Sequence, residues 1–124
     1  MTSSGHVLVV DDDPDIRETL GLVLGQHGFS VVTAADGAQA LEQLQNEPRR
    51  PCLILLDLMM PGMDGFELWQ RIDTSDLSDI PVVVLTGAGP QMARRAASLQ
   101  LEVLAKPVEL RVLLKTVRKF CKAS

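Results

Sequence analysis

Tyrosine is absent from this chain of 124 residues, and aromatic residues of every kind make up 3% of it. Only Phe29, Phe66, Phe120 and Trp69 are available, so a core must be built from Leu, Val, Ile and Ala, which the 46% apolar content supplies. Long apolar runs are missing too: none approaches the ~20 residues that a transmembrane helix needs. Met1–His6 has neither the basic region nor the apolar core of a signal peptide. Positive charge is in deficit. A net charge of −4 argues against a nucleic-acid surface made by this chain alone. Cysteine is scarce, and Cys52 and Cys121 have neither metal-site spacing nor the density of a secreted disulfide scaffold. Reduced thiols, and with them a cytoplasmic location without membrane insertion, are the expectation. No linker, repeat or low-complexity segment divides the chain, so one domain over residues 1–124 is expected, with a core of about 7–120.

What the chain does have is four short stretches with a shared design: VLVVDDD at Val7–Asp13, LILLDLMMPGMDG at Leu53–Gly65, VVVLTG at Val82–Gly87 and LAKP at Leu104–Pro107. Three begin with an apolar run of strand length and finish on a polar, reactive residue. The fourth has a weaker run and finishes on lysine. An open α/β sheet places such residues together at its carboxyl edge, where ligands bind. The site so assembled would hold Asp11, Asp12, Asp57, Thr86 and Lys106, a set suited to a hard divalent cation and a phosphoryl group.

Between these stretches the pattern alternates. His6–Val10 is a strand, and Pro14 opens a helix striped by Ile16, Leu20, Val23 and Leu24 and closed by Gly28. Phe29–Thr33 reads as a strand. A helix starts near Asp36 and ends before Pro48. Cys52–Leu56 and Ile80–Leu85 are strands apolar on both faces, as expected when helices cover both sides of a sheet. Phe66, Trp69 and Ile72 mark a third helix. Pro90–Leu99 is a short fourth helix and Leu101–Leu104 a fifth strand. Leu110, Leu113, Leu114, Val117 and Phe120 stripe the last helix. Five strands alternating with five helices indicate a parallel, doubly wound α/β sheet with right-handed crossovers.

With these motifs in this order, Val7–Phe120 resembles the receiver domain of bacterial response regulators, the phosphoacceptor module of two-component signalling and phosphorelays. The resemblance implies a flavodoxin-like, CheY-like sheet of order 2-1-3-4-5. It implies Asp57 as phosphoacceptor, Asp12 as a direct magnesium (Mg²⁺) ligand and Asp11 as a water-mediated one. Met59 would supply a backbone carbonyl to the metal. Thr86 and Lys106 would contact phosphoryl oxygens, and Pro107 would follow Lys106 through a cis peptide bond. Pro61, Gly62, Asp64 and Gly65 fit the loop after the phosphoacceptor. A histidine kinase or histidine phosphotransfer protein is the implied donor. The implied output surface lies over about Pro90–Phe120, facing a downstream protein or output domain. One position departs from the family: three residues before the lysine, where an aromatic switch residue often stands, this chain has Val103.

The chemistry fits those residue types. A carboxylate is a weak nucleophile whose product here is a reactive acyl phosphate. A dication bridging it to a phosphoryl oxygen neutralises charge as transfer proceeds. Mg²⁺ takes octahedral oxygen coordination, with water completing the shell. Three crowded carboxylates without that ion raise at least one pKa. The chain is therefore expected to catalyse only its own phosphorylation and slow dephosphorylation. Two other readings remain: a constitutive interaction module, kept open by Val103, and a small Mg²⁺-dependent phosphohydrolase, for which no histidine falls on a site loop. Outside the site the residues read plainly, with Met59, Met60 and Met63 as loop packing and Arg94 and Arg95 as solvated.

Overall fold

The computed structural model describes residues 5–60, 62, 64–87 and 90–123. Alternation of strand and helix runs through them: β1 (Val7–Val10), α1 (Pro14–Gln26), β2 (Val31–Ala34), α2 (Gly37–Asn46), β3 (Leu53–Asp57), α3 (Gly65–Asp73), β4 (Val82–Thr86), α4 (Pro90–Ser98), β5 (Glu102–Ala105) and α5 (Leu110–Phe120). The five strands form one sheet in the order β2-β1-β3-β4-β5, as the resemblance implied. Every pairing is parallel, with Val7 opposite both Val31 and Leu53, and Asp57 opposite Leu85.

The strands alternate sides, so one set of residues serves each layer. Val7, Val9, Leu53 and Leu55 pack with Leu20 and Leu24 of α1 and with Leu113 and Val117 of α5. Leu8, Val10, Ile54 and Leu56 pack with Ala40 and Leu44 of α2 and with Leu68 and Ile72 of α3. A smaller cluster of Leu58, Phe66, Val84 and Ala96 seats α4. Burial of one such aliphatic side chain is worth about 1.5–3 kcal/mol, and it is this double layer that holds the strand ends in place.

Turn chemistry sets the boundaries and explains where the sequence reading slipped. Phe29 is buried but lies outside β2. Gly28 takes φ +88°, and the Phe29 N–H donates to the Leu24 carbonyl at 3.0 Å. That is a glycine-ended helix cap with its apolar contact, so Phe29 closes α1 before the strand begins. Gln100 repeats the device without glycine, at φ 61°, with the Leu101 N–H donating to the Ala96 carbonyl at 3.0 Å. β4 begins at Val82, with Ile80 packed in the α2–α3 layer ahead of it.

The two thiols correct a prediction. Cys52 and Cys121 form a disulfide, with Cα atoms 5.4 Å apart across a sequence separation of 69. That spacing lies in the range a disulfide spans. β3 starts and α5 ends at the amino edge of the sheet, and both sulfurs join the buried cluster that contains Phe29 and Leu53. The expectation of reduced thiols fails because the pairing is created by the fold. The thiols therefore no longer support a cytoplasmic location. Among the described residues, no helix is long and apolar enough to cross a membrane.

Candidate functional site

The order β2-β1-β3 reverses the winding direction between β1 and β3, and a crevice opens beyond their carboxyl ends. Asp11 directly follows β1 and Asp57 ends β3. Both are buried, at 0% and 4% exposure, while Asp12 is exposed. Carboxylate oxygens from Asp11, Asp12 and Asp57 lie within 4.8 Å of one another, a cluster able to coordinate a divalent cation. Met59, Gly87 and Lys106 complete the cleft around it.

Lys106 reaches in from the loop after β5. Its Nζ lies 2.9 Å from Asp11 Oδ2 and 3.4 Å from Asp57 Oδ1. The Lys106–Pro107 peptide bond is cis, as the resemblance implied. The Lys106 N–H donates to the Thr86 carbonyl at 2.9 Å, which ties the lysine to the end of β4. Thr86 itself is buried, on the strand next to Asp57 and one residue beyond its partner Leu85.

Backbone donors fix the carboxylates. The Met59 N–H donates to Asp57 Oδ1 at 3.1 Å, and the Asp13 N–H donates to Asp11 Oδ1 at 3.0 Å. Met59 is 55% exposed, whereas Met60 is buried in the α2–α3 layer. Gly65 is required by proximity: a Cβ there would lie 2.6 Å from the Asp57 carbonyl oxygen and 2.6 Å from Leu58 Cα. The start of α3 thereby presses against the strand that carries Asp57, with Asp64 capping the helix through the Glu67 N–H at 2.8 Å. Gly62 takes φ +78° in the same loop. Pro61 and Met63 lie outside the described residues, as do Ala88 and Gly89.

Burial is the main reason the Asp57 carboxyl is pushed up to about 6; the Asp11 charge adds to it, while the Met59 N–H and Lys106 oppose it. For Lys106, burial works against the ammonium, but the hydrogen bond it donates to Asp11 and the charge of Asp57 outweigh it and raise its pKa. The site is therefore short of positive charge. One ammonium serves two buried carboxylates, with Asp12 beside them.

Two features were not anticipated. Arg17 Nη1 donates to the Asp11 carbonyl at 2.7 Å and so anchors the acidic loop from α1. Asp13 caps that helix through the Asp15 N–H at 2.9 Å. Asp–Pro at a helix start signals the cap, but nothing in sequence signals the arginine's target. Arg95 is also engaged beyond solvent: its guanidinium carbon stands 4.0 Å from the centroid of the Phe66 ring. Val103 is half-buried against the Leu58, Phe66, Val84 and Ala96 cluster.

Comparison with known proteins agrees with this geometry. The family model described as response regulator receiver domain matches residues 7–118. Response regulator MprA of Mycobacterium sp. strain KMS is 39% identical over 116 residues, which cover 91% of this chain and 49% of that protein. The chain thus spans about half the length of the curated relatives it matches. A response regulator receiver protein from Pseudomonas putida superposes with a TM-score of 0.87 at 31% identity, covering 96% of this chain and 99% of that one. A Vibrio cholerae chemotaxis protein does so with a TM-score of 0.82 at 32% identity, covering 95% and 99%.

Proposed function

The chain belongs to the response regulator receiver domain family, and on that premise we propose that it takes a phosphoryl group onto Asp57 from a phosphohistidine on a histidine kinase or phosphotransfer protein. The observation that carries this reading is the meeting of Asp11, Asp57 and Lys106 within 2.9 and 3.4 Å at the carboxyl edge of the sheet. Asp57 Oδ attacks phosphorus, the phosphorus–nitrogen bond of the donor breaks, and the imidazole leaves. The Met59 N–H and Lys106 orient the attacking carboxylate before transfer. Lys106 then has an ammonium ready for a phosphoryl oxygen, and the Thr86 hydroxyl, one residue past the partner of Asp57, takes another. Asp11, Asp12, Asp57 and the Met59 carbonyl would hold Mg²⁺. Bound there, Mg²⁺ neutralises the charge that accumulates on the phosphoryl oxygens.

The fit to a hard dication rests on the donor set and on its electrostatics. Carboxylate oxygens cluster within 4.8 Å, and a single ammonium, Lys106, stands within ion-pair distance of the two buried ones. Asp12 is the exposed member, free to meet a hydrated ion. Replacing it in Asp12→Asn removes a charged oxygen ligand and is expected to lower Mg²⁺ affinity about tenfold or more. Mg²⁺ titration followed by amide shifts checks this, and an unchanged affinity would remove Asp12 from the ligand set.

Phosphorylation is tested by offering a small acyl phosphate with Mg²⁺. The expected result is an intact-protein mass gain of one phosphoryl group, absent in Asp57→Asn; a gain that persists in the variant rejects Asp57 as acceptor. A second reading, a module whose interactions ignore phosphorylation, draws on Val103, which is too short and too restricted at χ1 to act as a swinging aromatic switch. Amide shifts in the same experiment separate the two. Changes along residues 90–104 support a switch at about Pro90–Phe120, while changes confined to the Asp57 surroundings support the constitutive module. A phosphohydrolase is disfavoured because both histidines lie away from the cleft: His6 precedes β1 at the amino edge, and His27 ends α1 with its ring on the Val23 carbonyl at 2.9 Å. A cytoplasmic location and a downstream protein or output domain as partner belong to this same proposal.

A further inference from the structure

The charge on α5 and the residues just after it is all of one sign. Residues 110–122 hold five cations and no carboxylate, and the rest of the chain carries all sixteen carboxylates against seven cations. Lys119 is answered by Glu102 at 2.8 Å. Among the described residues, Arg111, Lys115, Arg118 and Lys122 have no carboxylate within ion-pair distance, and all four are exposed. At 3.6 residues per turn, Arg111, Lys115 and Arg118 fall within about 60° of one another around the helix and span about 10 Å along it.

Fold stability does not account for this stripe. Cations in the last turn complement the helix dipole, which explains Arg118 and Lys119. Arg111 sits in the first turn, where a cation is unfavourable, and Arg111, Lys115 and Lys119 repel at four-residue spacing. An ordinary solvated face looks different: in α3, Glu67 precedes Arg71 by four residues and pairs with it at 3.5 Å. The apolar face of α5 is already used, with Leu113, Leu114 and Val117 buried against the sheet. What remains outward is a row of three long cations, with Leu110 and Val112 exposed beside it.

We propose that this row docks an acidic α-helical segment of a partner protein, with carboxylates at four- and three-residue spacing set opposite Arg111, Lys115 and Arg118. Charge complementarity selects that occupant. At physiological salt a charge is felt over about 8 Å, so a short acidic helix laid on the stripe meets mainly its cations. A nucleic acid or an anionic bilayer extends past the stripe and meets a body with sixteen carboxylates against seven cations. Such a bilayer would also find no exposed aromatic on α5, since Phe120 is half-buried. The inference supplies the partner chemistry for part of the surface proposed above. It rests on that proposal only for control by phosphorylation, because the charge recognition needs no chemistry at Asp57.

The test titrates the full chain with a labelled, alanine-rich synthetic helix bearing Glu at three- and four-residue spacing, followed by fluorescence anisotropy at about 50 and about 200 mM salt. Binding is expected at the lower salt and weaker at the higher. The triple variant Arg111→Glu/Lys115→Glu/Arg118→Glu should bind about tenfold more weakly or worse. Arg111→Ala/Lys115→Ala/Arg118→Ala, which keeps good helix formers, should fall between it and the parent. Arg71→Glu on α3 should leave affinity within about twofold. Asp57→Asn protein should bind the peptide as the parent does. A parent chain that is phosphorylated normally but does not bind the peptide rejects the docking surface alone, and one that binds the peptide but takes no phosphoryl group rejects the phosphoacceptor alone. No binding by the parent, parent-like affinity in both triple variants, or tighter binding of an oligonucleotide or of phosphatidylserine vesicles through the same residues overturns the proposal.

Discussion

Asp57→Asn is expected to make the metal-free protein more stable by about 3 kcal/mol at pH 8, and by almost nothing near pH 4. The carboxyl is 4% exposed and its pKa is pushed up to about 6, first by burial and then by the charge of Asp11, against the Met59 N–H and Lys106. A folded-state pKa above the unfolded value means that the folded chain binds the proton more tightly. The associated stability is complete below the unfolded pKa and is lost as pH rises through the folded one. The parent should therefore lose stability between about pH 4 and pH 6, and the variant, which cannot ionise there, should not. Groups far from the site cancel in the difference. Urea denaturation in chelator at a series of pH values measures the gap. A gap that is flat with pH would show that the Asp57 carboxylate is not a strained charge. Mg²⁺ should close the gap at pH 8 by binding the parent's folded state more tightly than the variant's. The residue proposed to do the chemistry is thus expected to cost the resting fold stability.

Much of this was legible because the sheet is buried on both faces. Continuous apolar runs such as Leu53–Leu56 and Val82–Leu85 announce inner parallel strands, and the residue that ends each run must stand at one edge. That logic placed Asp11, Asp57, Thr86 and Lys106 without any contact being known. Asp36 marked the start of its helix, where its carboxylate satisfies a first free N–H, whereas Asp64, read as loop, caps α3 in the same way. The sequence was silent where the outcome depends on two distant segments meeting. Cys52 and Cys121 are joined only because β3 begins where α5 ends. Arg95 reads as a solvated charge until the ring of Phe66 stands beside it, and Arg17 has no reading until the loop carbonyl of Asp11 does. Phe29 was assigned to a strand because β propensity cannot see a helix cap reaching past Gly28. Strand order is a further case: alternation gives a parallel sheet, but the position of β1 between β2 and β3 came from family likeness and from the structure.

Lys106→Met should have the opposite sign to Asp57→Asn, a loss of about 3 kcal/mol for the metal-free protein at pH 8. Methionine keeps most of the aliphatic stem, so packing changes little and the lost group is the ammonium. That ammonium lies 2.9 Å from Asp11, whose side chain is fully buried, and 3.4 Å from Asp57. Without it two buried carboxylates face each other with only backbone donors, a more costly state than a solvated pair would leave. Because its folded-state pKa is raised, Lys106 contributes this stability below about pH 10 for as long as its partner carboxylates are ionised, so the loss should be full at pH 8 and shrink as Asp57 takes its proton near pH 6. The Asp57→Asn background separates the partners. If Asp11 is the principal one, as the shorter distance indicates, Lys106→Met should still cost well over half of its effect there; if Asp57 is, the loss should nearly vanish. Denaturation of the four proteins of this cycle in chelator gives the coupling directly. Mg²⁺ should recover part of the loss, because a dication among the same carboxylates supplies the charge the lysine no longer brings. A loss below about 1 kcal/mol, with no response to Mg²⁺, would mean that the ammonium is balanced by solvent and that the lysine is held at the site by its backbone bond to Thr86.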